Sequence, residues 1–217
     1  MTALLESPAE SHPVEQQQTP PQGEAIFTFA LRTLDQYSDY CWFENVLSPE
    51  DVNRVLTHAN LIEPESATVG GDRGLDYGIR KSVVRWLRPC EANFWLFRRI
   101  TDLVWSCNQV RYGFDLRGLN EGLQVAEYAP GAFFSWHKDS GNGVHSIRKL
   151  SVTIQLSDPA DYEGGDMEFL FGPEITTAPK AIGTAIVFPS YIMHRVTPVT
   201  RGHRRSVVAW ISGPPYR

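Results

Sequence analysis

The side chains of this chain best suited to chemistry are two histidines, an aspartate and an arginine in its C-terminal half. His137 and Asp139 stand two apart in the run Tyr128-Ala-Pro-Gly131-Ala-Phe-Phe-Ser-Trp-His137-Lys-Asp139. Residues i and i+2 of an extended segment point to one side, so an imidazole nitrogen and a carboxylate oxygen can meet at one point. About 0.3 such pairs arise by chance in a chain of this composition, so a surface histidine beside a turn aspartate is the plain alternative. His194 changes the balance. It is expected at the end of the apolar strand 181–188, after Pro189-Ser190-Tyr191, and would bring a third ligand from a different strand than His137 and Asp139. Two imidazoles and a carboxylate leave three adjacent positions of an octahedral metal open. Ten residues past His194 stands Arg204, followed on the same side of its strand by Ser206, Val208 and Trp210. A buried guanidinium beside a metal invites a carboxylate, which its planar fork holds bidentately, and Ser206 can add a hydrogen bond. The pattern suits a diacid that chelates the metal at one end and meets Arg204 at the other.

These residues must be positioned by short strands. From Leu123 onward the spacing predicts strands at 123–128, 150–156, 166–171, 181–188 and 206–211, separated by turn signals such as Gly164-Gly165 and Gly172-Pro173. The N-terminal half reads differently. Tyr40 to Phe43 is expected to be a first strand, and Ser48-Pro49-Glu50-Asp51 a helix start running to about Asn60. Gly70, Gly71 and Gly74 mark a loop, residues 81–87 a β-rich stretch, and 91–111 the longest helix, ended by Gly113. Helices first and strands afterwards imply an α+β layout whose C-terminal half is an all-β sandwich or barrel.

Composition sets the frame. The 217 residues amount to roughly 1.4 domains at about 150 residues each, so one domain with trimmings is expected. With 42 % apolar residues the chain can close a core without staples. Residues 1–24 hold four Pro, four Gln and four Glu, and read as a disordered tail before a single domain over 25–217, with helical support to residue 120 and a β core over 121–213. The three cysteines, Cys41, Cys90 and Cys107, fit no disulfide or zinc spacing and suggest a reducing compartment. Neither a targeting segment nor a membrane span is legible, so the cytoplasm is the expected address.

His137-x-Asp139, His194 and Arg204-x-Ser206 together resemble the Fe(II)- and 2-oxoglutarate-dependent oxygenases, in particular the small bacterial members of the prolyl 4-hydroxylase-like branch. Tyr128 and Gly131 ahead of the first ligand, the run 148–156, the Gly164-Gly165 turn and Pro198-Val-Thr-Arg-Gly202 extend the likeness over residues 121–213. The resemblance implies a double-stranded β-helix, a jelly-roll variant, with the N-terminal helices packed on one sheet. It makes His137, Asp139 and His194 the iron ligands, and assigns the distal carboxylate of 2-oxoglutarate to Arg204, with Ser206 and Tyr128 as hydrogen-bonding helpers. The implied activity is a dioxygenase that uses O2, with ascorbate in support, to hydroxylate an aliphatic carbon while succinate and CO2 leave. An amino-acid, peptide or protein substrate is implied, with proline the first residue to test.

Two other classes compete. Nucleic-acid demethylation on the same fold is similar in an Arg-x-Asn-x(5)-Arg pattern, which this chain lacks after Arg204. A jelly roll that binds a ligand or metal without oxidation would not need Arg204 at its distance from His194. The net charge of −5 also argues against nucleic acid, though it averages −4 in residues 1–24, −7 in 25–174 and +6 in 175–217. The basic end contains His194 and Arg204, a local field suited to a dianionic cosubstrate. Among the remaining histidines, His145 could at most line the mouth of the site, and His203 faces away from Arg204 and Ser206. The sequence leaves the oligomeric state open.

Overall fold

Period-two alternation of side chains builds two facing sheets in the C-terminal half, and helical periodicity in the N-terminal half covers the back of one of them. The computed structural model describes residues 39–67 and 78–215. The tail expected over 1–24 and the loop expected around Gly70, Gly71 and Gly74 lie outside the described residues.

Among the described residues the first strands are β1 (Cys41–Phe43), β2 (Glu65–Ser66), β3 (Arg80–Lys81), β4 (Val83–Leu87) and β5 (Gly118–Leu119). The β core continues with β6 (Leu123–Tyr128), β7 (Phe133–His137), β8 (Arg148–Gln155), β9 (Glu163–Gly164) and β10 (Met167–Phe171). It closes with β11 (Glu174–Thr177), β12 (Ala185–Pro189), β13 (His194–Val196), β14 (Val199–Arg201) and β15 (Arg204–Ser212). The larger sheet runs β1-β12-β8-β15-β6-β4-β2, with β5 paired to β15, and the smaller runs β11-β10-β13-β7-β3. Every pairing is antiparallel and most neighbours are distant in sequence, which is jelly-roll topology, here the double-stranded β-helix.

Helices α1 (Pro49–Ala59) and α2 (Phe94–Cys107) pack on the outer face of the larger sheet. A capping box starts α1: Asp51 N–H donates to Ser48 Oγ (3.1 Å), and Ser48 N–H to Asp51 Oδ2 (3.2 Å). Val52, Val55 and Ala59 of α1 and Leu96, Phe97, Ile100 and Val104 of α2 meet Leu123, Val125, Leu150, Val152, Ile154, Val207, Ala209 and Ile211. Burying each such large aliphatic side chain contributes about 1.5–3 kcal/mol. The same strands turn Gln124, Thr153, Arg204, Ser206 and Trp210 to the opposite face, toward the smaller sheet. The largest apolar cluster therefore lies behind the larger sheet, while the space between the sheets carries the polar groups together with two smaller apolar clusters, around Val84, Ala126 and Val196 and around Phe169, Ile186 and Phe188.

Three expectations shift. The long helix begins at Phe94 because residues 91–93 form a turn, held by Asn93, which donates to Arg88 O (2.9 Å). It widens into a π turn over Asn108–Tyr112, where the Asn108 amide bridges to the backbone of Phe114, before Gly113 stops it at φ 67°. The strand expected over 181–188 begins only at Ala185, because Gly183 turns the chain at φ 76°. His194 does not end that strand; it opens β13 in the opposite sheet. Cys41 and Cys107, far apart in sequence, bring their free thiols to 3.0 Å where β1 meets the end of α2. No described helix is long and apolar enough to cross a membrane.

Candidate active site

β7 and β13 lie side by side, with His194 opposite His137 and Val196 opposite Phe134. Two steps on β13 match three on β7, a bulge that turns Phe134 and His137 to the same inner face. Their rings stack with centroids 3.4 Å apart. Asp139 follows directly, fixed by its N–H donating to Ser190 O (3.0 Å). His137 Nε2 is 3.7 Å from Asp139 Oδ1 and His194 Nε2 is 3.6 Å from Oδ2. The three donor atoms all lie within 4.8 Å of one another, a spacing that fits one divalent cation about 2 Å from each.

The surroundings hold these donors in the form a metal requires. His137 Nδ1 donates to Ser135 O (2.8 Å) and His194 Nδ1 to Ile192 O (2.9 Å), so each ring turns the lone pair of Nε2 inward. Burial, reinforced by the neighbouring His194, pushes the His137 imidazole down to about 3, which keeps it neutral and able to ligate. Burial alone would push the Asp139 carboxyl up. The adjacent His194 and His137, the Ser151 hydroxyl and Arg148 outweigh it and hold the group below the usual carboxylate range. Ser151 Oγ donates to Asp139 Oδ2 (2.6 Å) and lies 2.9 Å from Ser190 Oγ, so one carboxylate oxygen is held by a short hydroxyl chain.

Arg204 opens β15 on the inner face and is 1 % exposed. Its Nη2 donates to Gln155 Oε1 (3.0 Å) and its Nη1 to Ser206 Oγ (3.4 Å), while its Nε is buried without a partner. Tyr128, directly opposite Arg204 in the ladder, presents its ring 5.5 Å from the guanidinium carbon. No carboxylate among the described residues pairs with Arg204. A buried cation met only by neutral acceptors, with an orphaned N–H, fits an anion brought in by a ligand. Gly165 leaves room for the Arg204 stem, and Gly164 for the close approach of the Pro198 carbonyl. A Cβ on Gly165 would lie 3.0 Å from Arg204 Cδ and 2.9 Å from Val199 Cγ2, and one on Gly164 would lie 2.2 Å from Pro198 O.

His137, Asp139, His194, Arg204, Ser206 and Tyr128, all singled out in the sequence, line one pocket. Trp210 joins them there, whereas Trp136 packs under Arg195. His145 sits in a 3-10 turn over Gly143–Ile147, and His203 bonds Glu127 (3.0 Å) away from the pocket. Sequence reasoning missed Arg80, Gln124, Phe134, Thr153 and Met167 in the lining, and Ser151 and Ser190 behind Asp139. For Ser151, Thr153 and Gln155 a signal existed: they are the polar alternates of Leu150, Val152 and Ile154 in β8. Arg80 had none, because β3 is two residues long.

Comparison with known proteins agrees with this geometry. Residues 123–212 match the profile of the 2OG-Fe(II) oxygenase superfamily. A PKHD-type hydroxylase of Sphingopyxis alaskensis is 38 % identical over 91 residues, which are 40 % of this chain and 42 % of that protein. A PKHD-type hydroxylase of Synechococcus sp. CC9902 is 30 % identical over 145 residues, 64 % of each chain. The chain thus spans about two fifths of the length of several curated relatives that it matches. In fold it is similar to a Pseudomonas putida prolyl-4-hydroxylase, with a TM-score of 0.65 and 21 % identity over 81 % of this chain and 93 % of the other. A Trichoplax adhaerens prolyl hydroxylase, solved with a hypoxia inducible factor peptide, gives a TM-score of 0.67 and 20 % identity over 80 % and 83 %.

Proposed function

We propose that this chain, whose residues 123–212 match the profile of the 2OG-Fe(II) oxygenase superfamily, is an Fe(II)- and 2-oxoglutarate-dependent dioxygenase that hydroxylates an aliphatic carbon of an amino-acid, peptide or protein substrate. One observation carries the reading: a converging His137–Asp139–His194 donor set shares a pocket with Arg204, a buried cation lacking any described carboxylate partner. The donor set alone would suit a binding protein. Arg204 adds the need for an acid.

In this reading His137, Asp139 and His194 hold the iron, and Arg204 receives the distal carboxylate of 2-oxoglutarate while Gln155 and Ser206 keep its fork oriented. Tyr128 presents its ring to the guanidinium, and its hydroxyl is assigned as a hydrogen-bonding helper of the same carboxylate. When bound, iron and cosubstrate supply the oxidation, in which O2 is divided between succinate, formed with loss of CO2, and the new hydroxyl of the substrate. The protein contributes orientation and dryness. Phe134, Met167, Val196, Val208 and Trp210 form the apolar part of the lining. Proline, free or within a peptide, is the first candidate for the hydroxylated residue, supported by the prolyl hydroxylases that share the fold.

The test is turnover of purified protein with Fe(II), ascorbate, O2 and 2-oxoglutarate, followed by a search for products heavier by one oxygen among lysate peptides and metabolites. Wild type is expected to form succinate and such a product, and the Asp139→Ala protein neither. Failure of wild type to bind or consume 2-oxoglutarate would sink the proposal.

A further inference from the structure

The pocket contains a second guanidinium, and it is built like the first. Arg204 bonds the serine two residues on, Ser206, and a glutamine from another strand, Gln155. Arg80 does the same. Its Nε donates to Ser82 Oγ, two residues on, at 2.8 Å, and its Nη2 to Gln124 Oε1, on the facing sheet, at 2.8 Å. Arg80 is 7 % exposed and lines the same pocket as the proposed iron ligands. Its guanidinium carbon lies 4.5 Å from the centre of the Phe134 ring, which in turn stacks on His137.

Charge accounting sets these two arginines apart from other buried or half-buried ones. Arg85, Arg148, Arg195 and Arg205 each pair with a glutamate. Arg80 and Arg204 meet only amide and hydroxyl oxygens among the described residues. Such neutral acceptors hold the fork in place without compensating its charge, and a guanidinium has five N–H donors, of which the two bonds of Arg80 use two. The cosubstrate of the reading above brings one carboxylate for Arg204 and another for the metal, which leaves Arg80 without an anion among the described residues.

We propose that Arg80, oriented by Ser82 and Gln124, forms a second carboxylate site in this pocket, and that it receives the carboxylate of the substrate to be hydroxylated. The proposal rests on the oxygenase reading for the word substrate, but the site itself does not depend on it. A neutral carbonyl would bond the same donors and still leave a desolvated cation uncompensated, whereas a carboxylate satisfies both. The substrate is therefore an acid. Its carboxylate is either the α-carboxylate of a free amino acid or chain end, or the side chain of an acidic residue.

Three small probes test this by calorimetric titration of the full-length protein. N-acetylglycine presents an α-carboxylate, N-acetylaspartic acid α-amide a side-chain carboxylate, and N-acetylglycinamide no charge. Two proteins isolate Arg80: wild type loaded with Fe(II) and saturating 2-oxoglutarate without O2, and Arg204→Gln with no cosubstrate. In both, at least one acid is expected to bind tenfold or more tightly than the amide, and the tighter acid names the source of the carboxylate. Arg80→Gln, loaded like wild type, is expected to bind acid and amide within twofold. Equal binding of acid and amide in both proteins, no acid binding in either, or an acid preference that survives Arg80→Gln overturns the proposal. Should Arg80→Gln not fold, the comparison of acid with amide in the other two proteins decides. Should wild type not take up 2-oxoglutarate, the oxygenase reading falls, while the Arg204→Gln titration still decides whether Arg80 holds a carboxylate.

Discussion

At the scale of single residues, the site rests on burial without compensation. Arg204 is nearly inaccessible, yet its acceptors are a neutral amide and a hydroxyl. Arg204→Gln removes the charge that a carboxylate ligand would meet, and breaking a buried ion pair at one partner costs about 3–5 kcal/mol. Calorimetry with the metal-loaded protein is expected to show 2-oxoglutarate affinity falling by about two orders of magnitude or more, and unchanged affinity would assign the cosubstrate elsewhere. Ser151 works one bond further out, through its 2.6 Å donation to Asp139. Ser151→Ala frees that carboxylate oxygen to rotate, so metal affinity, followed by competition with a chelator, is expected to weaken by about 10–100-fold while the fold persists. These two residues also differ in legibility. Arg204 stood out because its position relative to His194 is meaningful. Ser151 is one serine among many until the strand has a partner across the sandwich.

At the scale of elements, the helices make the larger sheet rigid enough to carry the site. Ile100 is fully buried between α2 and the sheet. Ile100→Ala is expected to lower stability by about 2–5 kcal/mol in denaturant melts, with 2-oxoglutarate affinity unchanged in the protein that remains folded. On the same outer face of the sheet Glu127 joins three elements, meeting Arg85 on β4, Arg205 on β15 and His203 beside it. Burial pushes the Glu127 carboxyl up, but Arg205, His203 and Arg85 together hold it below its ordinary value. A carboxyl depressed in the folded state contributes stability above its unfolded value, and that contribution is lost as pH falls through the depressed one. Wild type should thus lose this part of its stability on acidification below about 4.5. Thermal melts of Glu127→Gln should be lower at neutral pH and show less of that acid-side decline; parallel pH curves would remove Glu127 from the account.

Most long elements were legible because each is patterned locally. The capping box at Ser48 and Asp51 marks α1, and the alternation in 123–128 marks β6 with the bounds observed. Several of the strands that were missed, such as β5, β9 and β13, are two or three residues long and owe their existence to pairing with distant chain, while β7 was read only as an extended lead into His137 and β11 not at all. His194 shows the consequence. Its role as a third donor from a separate strand could be read from spacing, but the sheet that holds it could not, because the turn Pro189-Ser190-Tyr191 crosses the sandwich.

At the scale of the whole molecule, the fold separates two tasks. Apolar alternates of the larger sheet face the helices and supply cohesion; polar alternates face the smaller sheet and supply the pocket. Of the basic C-terminal segment, +6 over residues 175–217, Arg204 and His194 reach that pocket, whereas Lys180, Arg195, Arg201 and Arg205 pair with carboxylates. The triad and Arg204 were legible because their mutual spacing is meaningful. Arg80 and Gln124 were not, since they meet only when the two sheets close on one another.

The central claim is that one pocket joins an iron held by His137, Asp139 and His194 to 2-oxoglutarate held by Arg204. Its most direct test is the formation of succinate from 2-oxoglutarate, measured under O2 with Fe(II) in wild type and in Asp139→Ala at equal protein concentration. Wild type is expected to form succinate in an iron-dependent manner, and Asp139→Ala none above background. Equal succinate from both proteins, or none from a wild type that is folded and metal-loaded, would contradict the claim.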